Sequence, residues 1–310
     1  MKLAAALGWQ AIPFEPLLEL VRLAERLDFT AVFVDGDVSQ LPSRPDAEVL
    51  DGLVTTASLL ARTERIEVAS IRLVHHWNAA KLAQATATLA RLHPGRVRLF
   101  VSIGGQPADR RFGLPLPPAA LRIAWLDETL DAVRALWRGE EVTRRGRFVA
   151  LDRARVLAPR EPIPIHVAAG CSKALLEVVA RHADGWDMNL PPLPSQVAEA
   201  EAILGDACAA LGRDPRTLSR SSWIFARPGR EPGDPELARE FRRWNPWFRQ
   251  LTDAELKVAI ACGPPGEMTR RIERIGRDLG LELPVADLSG LPAEAAASAL
   301  HALAPKELAR

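Results

Sequence analysis

Short apolar runs alternate along this chain with stretches in which apolar residues recur every three or four positions. The first pattern marks β-strands and the second amphipathic helices. Strands are predicted at Leu3–Gly8, Ala31–Asp35, Ile66–Ile71, Val97–Ser102, Ile163–Val167, Gly185–Asn189, Ser219–Phe225 and Leu283–Leu288. Helices are predicted at Glu15–Leu27, Ala47–Ala61, Ala80–Leu92, Pro118–Trp137, Ser172–His182, Ser195–Leu211, Glu267–Leu279 and Ala293–Leu303. Such alternation predicts an α/β fold with a parallel sheet and helical crossovers, and eight strands close it into a (β/α)8 barrel. Residues 1–310 read as one domain. Two departures are expected: an external hairpin within 139–160, and an irregular insertion at 227–262 that forms either a lid or a subunit contact.

The segment Ile163–Trp186, IPIHVAAGCSKALLEVVARHADGW, joins a β-branched strand to a helix through small residues. Ala168, Ala169 and Gly170 let a ligand approach the backbone closely, and the unsatisfied N–H groups of the first helical turn face it. Lys173 sits in that turn against the helix dipole, a poor place for a cation unless an anion is bound there. The same residues also suit an ordinary strand-to-helix turn with a solvated lysine.

Composition narrows the function. A formal charge of +1 provides no field to gather nucleic acid or an anionic membrane. Cys171, Cys208 and Cys262 are too few and too scattered for a disulfide framework or a zinc site, so no metal is expected. There is no apolar run of membrane-spanning length, and MKLAAALGW reads as a strand rather than a cleavable signal. A cytoplasmic enzyme acting on a small-molecule substrate is the expectation, with a homodimer left open.

The anion-turn segment resembles the corresponding part of the luciferase-like family of flavin- and deazaflavin-dependent oxidoreductases, where a P-I-x-V-A-A/G-G run precedes a helix ending in A-D-G-W. Phe29–Val34, Ala61–Val68, His76–Leu89, Ala135–Gly146 and Gly263–Arg274 resemble further family segments. The resemblance covers roughly Leu3 to Gly290. It implies a TIM barrel and an oxidoreductase whose cofactor lies at the carboxyl ends of the strands, with phosphate at Ala168, Ala169, Gly170, Cys171, Ser172 and Lys173. Ser102, Gly104, Gly105 and Gln106 resemble the loop beside the cofactor ring. Ser70–Ile71 aligns with the non-prolyl cis peptide that bulges against the ring in deazaflavin relatives.

Catalytic candidates are fewer. Where relatives carry an aspartate–histidine pair after the second strand, this chain has Gly36 and Asp37. Asp37, His75 and His76 are the remaining acid–base candidates. Trp9, Trp77, Trp186 and Asn189 are expected around the mouth and imply an apolar or aromatic substrate, with Trp244, Trp247 and Phe248 on the insertion as further aromatics. The run Ala154–Ile163, ARVLAPREPI, resembles deazaflavin members and favours coenzyme F420 and hydride transfer. Reduced FMN with oxygenation is the alternative, and an inert cofactor-binding subunit is a second one.

Overall fold

A computed structural model describes residues 2–8, 12–34, 36, 50–105, 107–245 and 248–305. All eight predicted barrel strands are present: β1 (Ala4–Ala6), β2 (Ala31–Val34), β3 (Glu67–Leu73), β4 (Leu99–Ser102), β7 (Ile165–Ala169), β8 (Gly185–Met188), β9 (Ser219–Pro228) and β11 (Leu283–Asp287). They pair in parallel in that order, and β11 pairs with β1, so the sheet closes into a (β/α)8 TIM barrel. β5 (Val142–Arg145) and β6 (Ala150–Ala154) form the separate antiparallel hairpin. The short strand β10 (Ala261–Gly263) extends β9.

Helices α1 (Phe14–Arg26), α2 (Gly52–Leu60), α3 (Ala79–Leu92), α4 (Ala119–Trp137), α5 (Lys173–His182) and α6 (Pro194–Ala210) surround the barrel. So do α9 (Pro265–Asp278) and α10 (Ala293–Ala302). Apolar residues on the outer strand faces meet those on the helices in one large core, which includes Val32, Val68, Val101, Val167 and Trp186. Alternate residues point into the barrel. There Ala4, Ala6, Ala31, Ala69 and Ala168 leave room for Phe33, Phe100 and Trp223, whose rings meet at centroid distances of 5.5 Å about Phe33. Small strand residues opposite large rings fill the lumen as packed layers rather than a pore.

Below these rings lies a polar plug. Arg98 pairs with Glu67, stands 5.6 Å from the Phe33 ring centroid and approaches His166 Nδ1 at 3.4 Å. Burial and the Arg98 charge drive the His166 pKa down to about 3, so the imidazole is neutral.

The insertion is ordered where it is described, which the sequence pattern did not anticipate. α7 (Pro235–Trp244) begins at Asp234, whose side chain accepts from Glu236 N, and α8 (Asp253–Ala259) begins with a Thr252–Glu255 capping box. These helices build a second apolar cluster on the barrel rim from Leu193, Phe225, Leu237, Phe241, Trp244 and Leu256. Arg227, fully buried, ties α7 to the barrel: it pairs with Glu240 at 2.6 Å and donates to the carbonyls of Ala226, Asp287 and Ser289.

Candidate active site

A cavity of about 320 Å³ opens at the carboxyl ends of the strands. Its inner wall is Phe33, Ile71, Phe100, Ala168 and Trp223, and its rim includes Gly104, Gly105 and Asn189. Trp244, Asn245 and Phe248 of the insertion form its far side. Position follows from strand alternation: Ile71, Ala168, Asp187 and Trp223 are the inward residues of their strands, and the mouth is where such barrels place chemistry.

Several residues singled out from the sequence meet here. Ile71, Ser102, Gly104, Gly105, Ala168 and Asn189 line the cavity. Gly104 has φ +62°, and a Cβ on it would lie 2.8 Å from Cε1 of His75, so the loop passes His75 as only glycine allows. His75 is thereby buried against the rim loop, with the His76 ring 4.3 Å away at 73°. Gly170 rests on the Asn189 backbone, where a Cβ would be 3.1 Å from the carbonyl oxygen. Cys171 is half-buried, its thiol 3.8 Å from the Gln196 carbonyl. Ser172, the N-cap of α5, makes no side-chain cap, so it leaves the first-turn N–H groups to another acceptor. Ala169 turns outward, its carbonyl accepting from Trp186 Nε1 at 2.9 Å and from Asn189 N at 3.2 Å.

Other expectations need correction. The Ser70–Ile71 bond is trans, since no cis peptide occurs among the described residues. The strand explains this: β3 runs unbroken through both residues, pairing with β2 as far as Ser70 and with β4 from Ile71 onward. Ser70 itself faces α2, sharing a 2.6 Å hydrogen bond with Thr56 Oγ1, reaching Gly52 O at 3.0 Å and accepting from Arg72. Trp186 is fully buried behind the sheet because it alternates with the inward Gly185 and Asp187. Trp77 packs against the outer core with the Arg72 guanidinium 5.7 Å from its ring centroid, and is not among the cavity-lining residues. Lys173 keeps its expected place on the exposed first turn of α5, where its side chain also borders a groove along α5 and α6 beside Glu177 and Asp206. Trp9, Asp35, Asp37, Gln106 and Trp247 lie outside the described residues.

Gly36 gives a physical reason for one departure from the family pattern. A Cβ there would lie 2.6 Å from Ile71 Cγ2 and 2.8 Å from Ile71 O, so the chain leaving β2 presses directly on β3. An aspartate at that position would not fit without moving the cavity wall.

Two carboxyl groups that the sequence analysis passes over complete the lining. Asp187 and Asp287 are both buried, and burial raises both pKa values. For Asp187 the rise reaches about 7, opposed by the Ser221 hydroxyl, which donates to Oδ2 at 2.7 Å, and by the charge of Arg98. Asp287 accepts from Ser289 N at 2.9 Å and feels the Arg227 charge. Among the described lining residues there is no lysine, arginine or histidine. No group of three or more potential metal ligands occurs among the described residues, and none of their helices is long and apolar enough to cross a membrane.

The fold is a TIM barrel with a cavity at the carboxyl ends of its strands, and sequence comparison gives the family. The model of the luciferase-like monooxygenase family matches residues 1–234, and the chain belongs to that family. It is 29% identical over 257 residues to an F420-dependent glucose-6-phosphate dehydrogenase of Beutenbergia cavernae, covering 82% of this chain and 74% of the relative. It is 31% identical over 183 residues to the enzyme of the same name from Nakamurella multipartita, covering 58% of this chain and 53% of the relative. The chain thus spans about half the length of several of the curated relatives it matches. Among solved structures, an F420-dependent secondary alcohol dehydrogenase in complex with an F420-acetone adduct superposes with a TM-score of 0.82 at 18% identity, covering 97% of this chain and 98% of that one. A monooxygenase from Streptomyces bottropensis superposes with a TM-score of 0.78 at 22% identity, covering all of both chains. Those two likenesses bear on the fold.

Proposed function

We propose that this protein is a coenzyme F420-dependent oxidoreductase that transfers a hydride between the deazaflavin and a small, neutral, apolar or aromatic substrate. The observation that carries the reading is the mouth cavity itself. It joins a small-residue side at Gly104, Gly105 and Ala168 to an aromatic side at Trp223, Trp244 and Phe248. The F420-dependent names of the relatives supply the choice of cofactor.

The residues fit such a group. Gly104 and Gly105 at the rim, with Ile71 and Ala168 beside them, leave space for a planar ring to lie against backbone. The uncapped first turn of α5, from Ser172, offers N–H groups to a phosphate, and Lys173 on the same turn adds positive charge. When bound, the deazaflavin supplies a hydride donor or acceptor that does not activate oxygen. The protein's own task is to orient the substrate carbon against it and to exclude water. α7, with Asn245 and Phe248 beyond it, serves as the lid over the substrate side, Trp244, Asn245 and Phe248 lining the cavity.

The substrate class follows from charge. Among the described residues the ionisable groups that line the cavity are the two carboxyls, and none of these residues is a cation that could pair with the phosphate of a sugar phosphate. A neutral carbonyl compound or alcohol needs no such partner. Expression in a deazaflavin-producing host, followed by absorbance and mass analysis of the co-purified ligand, tests the cofactor. F420 is expected, and FMN in its place would move the protein to the oxygenating branch of the family.

A further inference from the structure

We propose that Asp187 is the proton donor of the reaction, held in position by Ser221 and handing its proton to the carbonyl oxygen of the substrate. This rests on the hydride-transfer reading above. It assigns an acid to a chain that lacks the family's aspartate–histidine pair after the second strand, where it has Gly36 and Asp37.

The geometry separates Asp187 from the other carboxyl in the cavity. Asp287 is held by the backbone N–H of Ser289, which can only donate and therefore favours a carboxylate. The charge of Arg227 acts on Asp287 in the same direction. Asp187 is held by the Ser221 hydroxyl, which donates to Oδ2 and, unlike an N–H, can turn to accept once the carboxyl is protonated; this bond and the Trp223 side chain favour the carboxylate, and burial outweighs both. It stands on an inward strand position, buried yet part of the cavity wall. Its partner Ser221 is the directly paired residue on β9, so the two side chains are held side by side by the ladder. A group on two barrel strands is more rigidly placed than one on a loop.

The surrounding charges are few. Arg98, just before β4, is paired to Glu67 on β3, and on β7 His166 is neutral. Ser221 and Trp223 face Asp187 from β9, and Asp287 lines the same cavity from β11. Burial dominates over these and lifts the carboxyl to about 7, which suits a group that must hold its proton near neutrality and release it on demand.

The step balances. The carbonyl carbon receives a hydride from the reduced deazaflavin, and the π pair of the C=O bond moves to oxygen. That oxygen takes the proton of Asp187, giving the alcohol, while the deazaflavin is oxidised by two electrons. Asp187, now a carboxylate, regains a proton from solvent. In the reverse direction the carboxylate removes the proton of the alcohol as hydride leaves its carbon.

Acetophenone, a neutral aryl ketone, serves as probe. Its C=O stretch, measured by infrared spectroscopy on the cofactor-free protein, is expected to fall in wavenumber when bound at pH 6. The shift should disappear as pH rises through about 7, and be absent at all pH values in Asp187→Leu. Ser221→Ala should move the midpoint to higher pH, since it removes a bond that favours the carboxylate. With reduced F420, Asp187→Asn should slow single-turnover reduction by at least about a hundredfold and leave the F420 dissociation constant unchanged. Absence of saturable acetophenone binding overturns the proposal, as does a bound C=O stretch indifferent to pH and to Asp187. Either result is independent of whether F420 binds, so failure of the acid is distinguishable from failure of the cofactor reading.

Discussion

The Trp244 indole lies so close to Gly290 that a Cβ added to that glycine would sit 2.1 Å from Trp244 Nε1. Gly290 also has φ +90°, a conformation that side chains rarely adopt. Gly290→Ala therefore strains the backbone and displaces Trp244 from the cavity wall. A loss of about 1–3 kcal/mol of stability is expected, with altered tryptophan fluorescence. Denaturant titration with fluorescence detection measures both, and a variant matching wild type in each would show that the contact does not hold Trp244 in place.

The Arg227–Glu240 pair also fastens α7 to the barrel. Arg227 is 1% exposed and Glu240 is reached at 2.6 Å, so Glu240→Ala removes the guanidinium's directly paired carboxylate and leaves it buried against carbonyls and the Phe225 ring. The expected cost is about 3 kcal/mol, the lower end for breaking a buried pair, because Glu240 is partly exposed. Glu236→Ala, which removes the exposed partner of Arg239, should cost less than about 1 kcal/mol. Equal effects in chemical denaturation would contradict the anchoring role.

Asp187 couples stability to pH with a definite sign. Its folded pKa, about 7, lies above the ordinary 3.8, so between these values the folded state holds a proton that the unfolded chain has lost. Stability from this group is therefore greatest below the ordinary value, declines as pH rises, and reaches its minimum above the folded pKa. Asp187→Asn should be more stable than wild type at pH 8, by on the order of a few kcal/mol, with the difference vanishing near pH 4. Thermal unfolding of both proteins across this range checks it. A variant less stable at pH 8 would show that the carboxylate is well accommodated in the fold.

Lys173 opposes the dipole of α5 from its first turn. Lys173→Ala should leave the cofactor-free protein as stable as before or slightly firmer, and weaken F420 binding by about tenfold at low salt. Titration calorimetry at two ionic strengths separates this from a nonspecific effect. Unchanged affinity would leave the phosphate to the backbone N–H groups alone.

Much of this was legible in the chain, for reasons that differ by element. Most barrel strands were readable because they carry a short apolar run bounded by turn residues, and β7 with α5 stood out through the small residues between them. α7 was missed because its ten residues, PELAREFRRW, bury only Leu237, Phe241 and Trp244 among charged neighbours. Its signals were present nonetheless, in the Asp234–Pro235 start and the Thr252–Glu255 spacing that opens α8. Asp187 escaped notice because Trp186 dominates the GWDM strand in a linear reading. The alternation of a barrel strand reverses their roles, sending the tryptophan to the outer core and the aspartate to the lumen. The trans Ser70–Ile71 bond could not be read from the residues, since it depends on how β3 is shared between β2 and β4.

Anaerobic transfer of deuterium decides whether hydride passes between a deazaflavin and a substrate at this mouth. Purified protein is incubated without oxygen with reduced F420 carrying deuterium at C5 and a panel of neutral ketones that includes acetophenone. Deuterium on the carbinol carbon of the product is predicted. Turnover that requires oxygen and reduced FMN, or tight F420 binding without deuterium transfer to any ketone, would contradict the account.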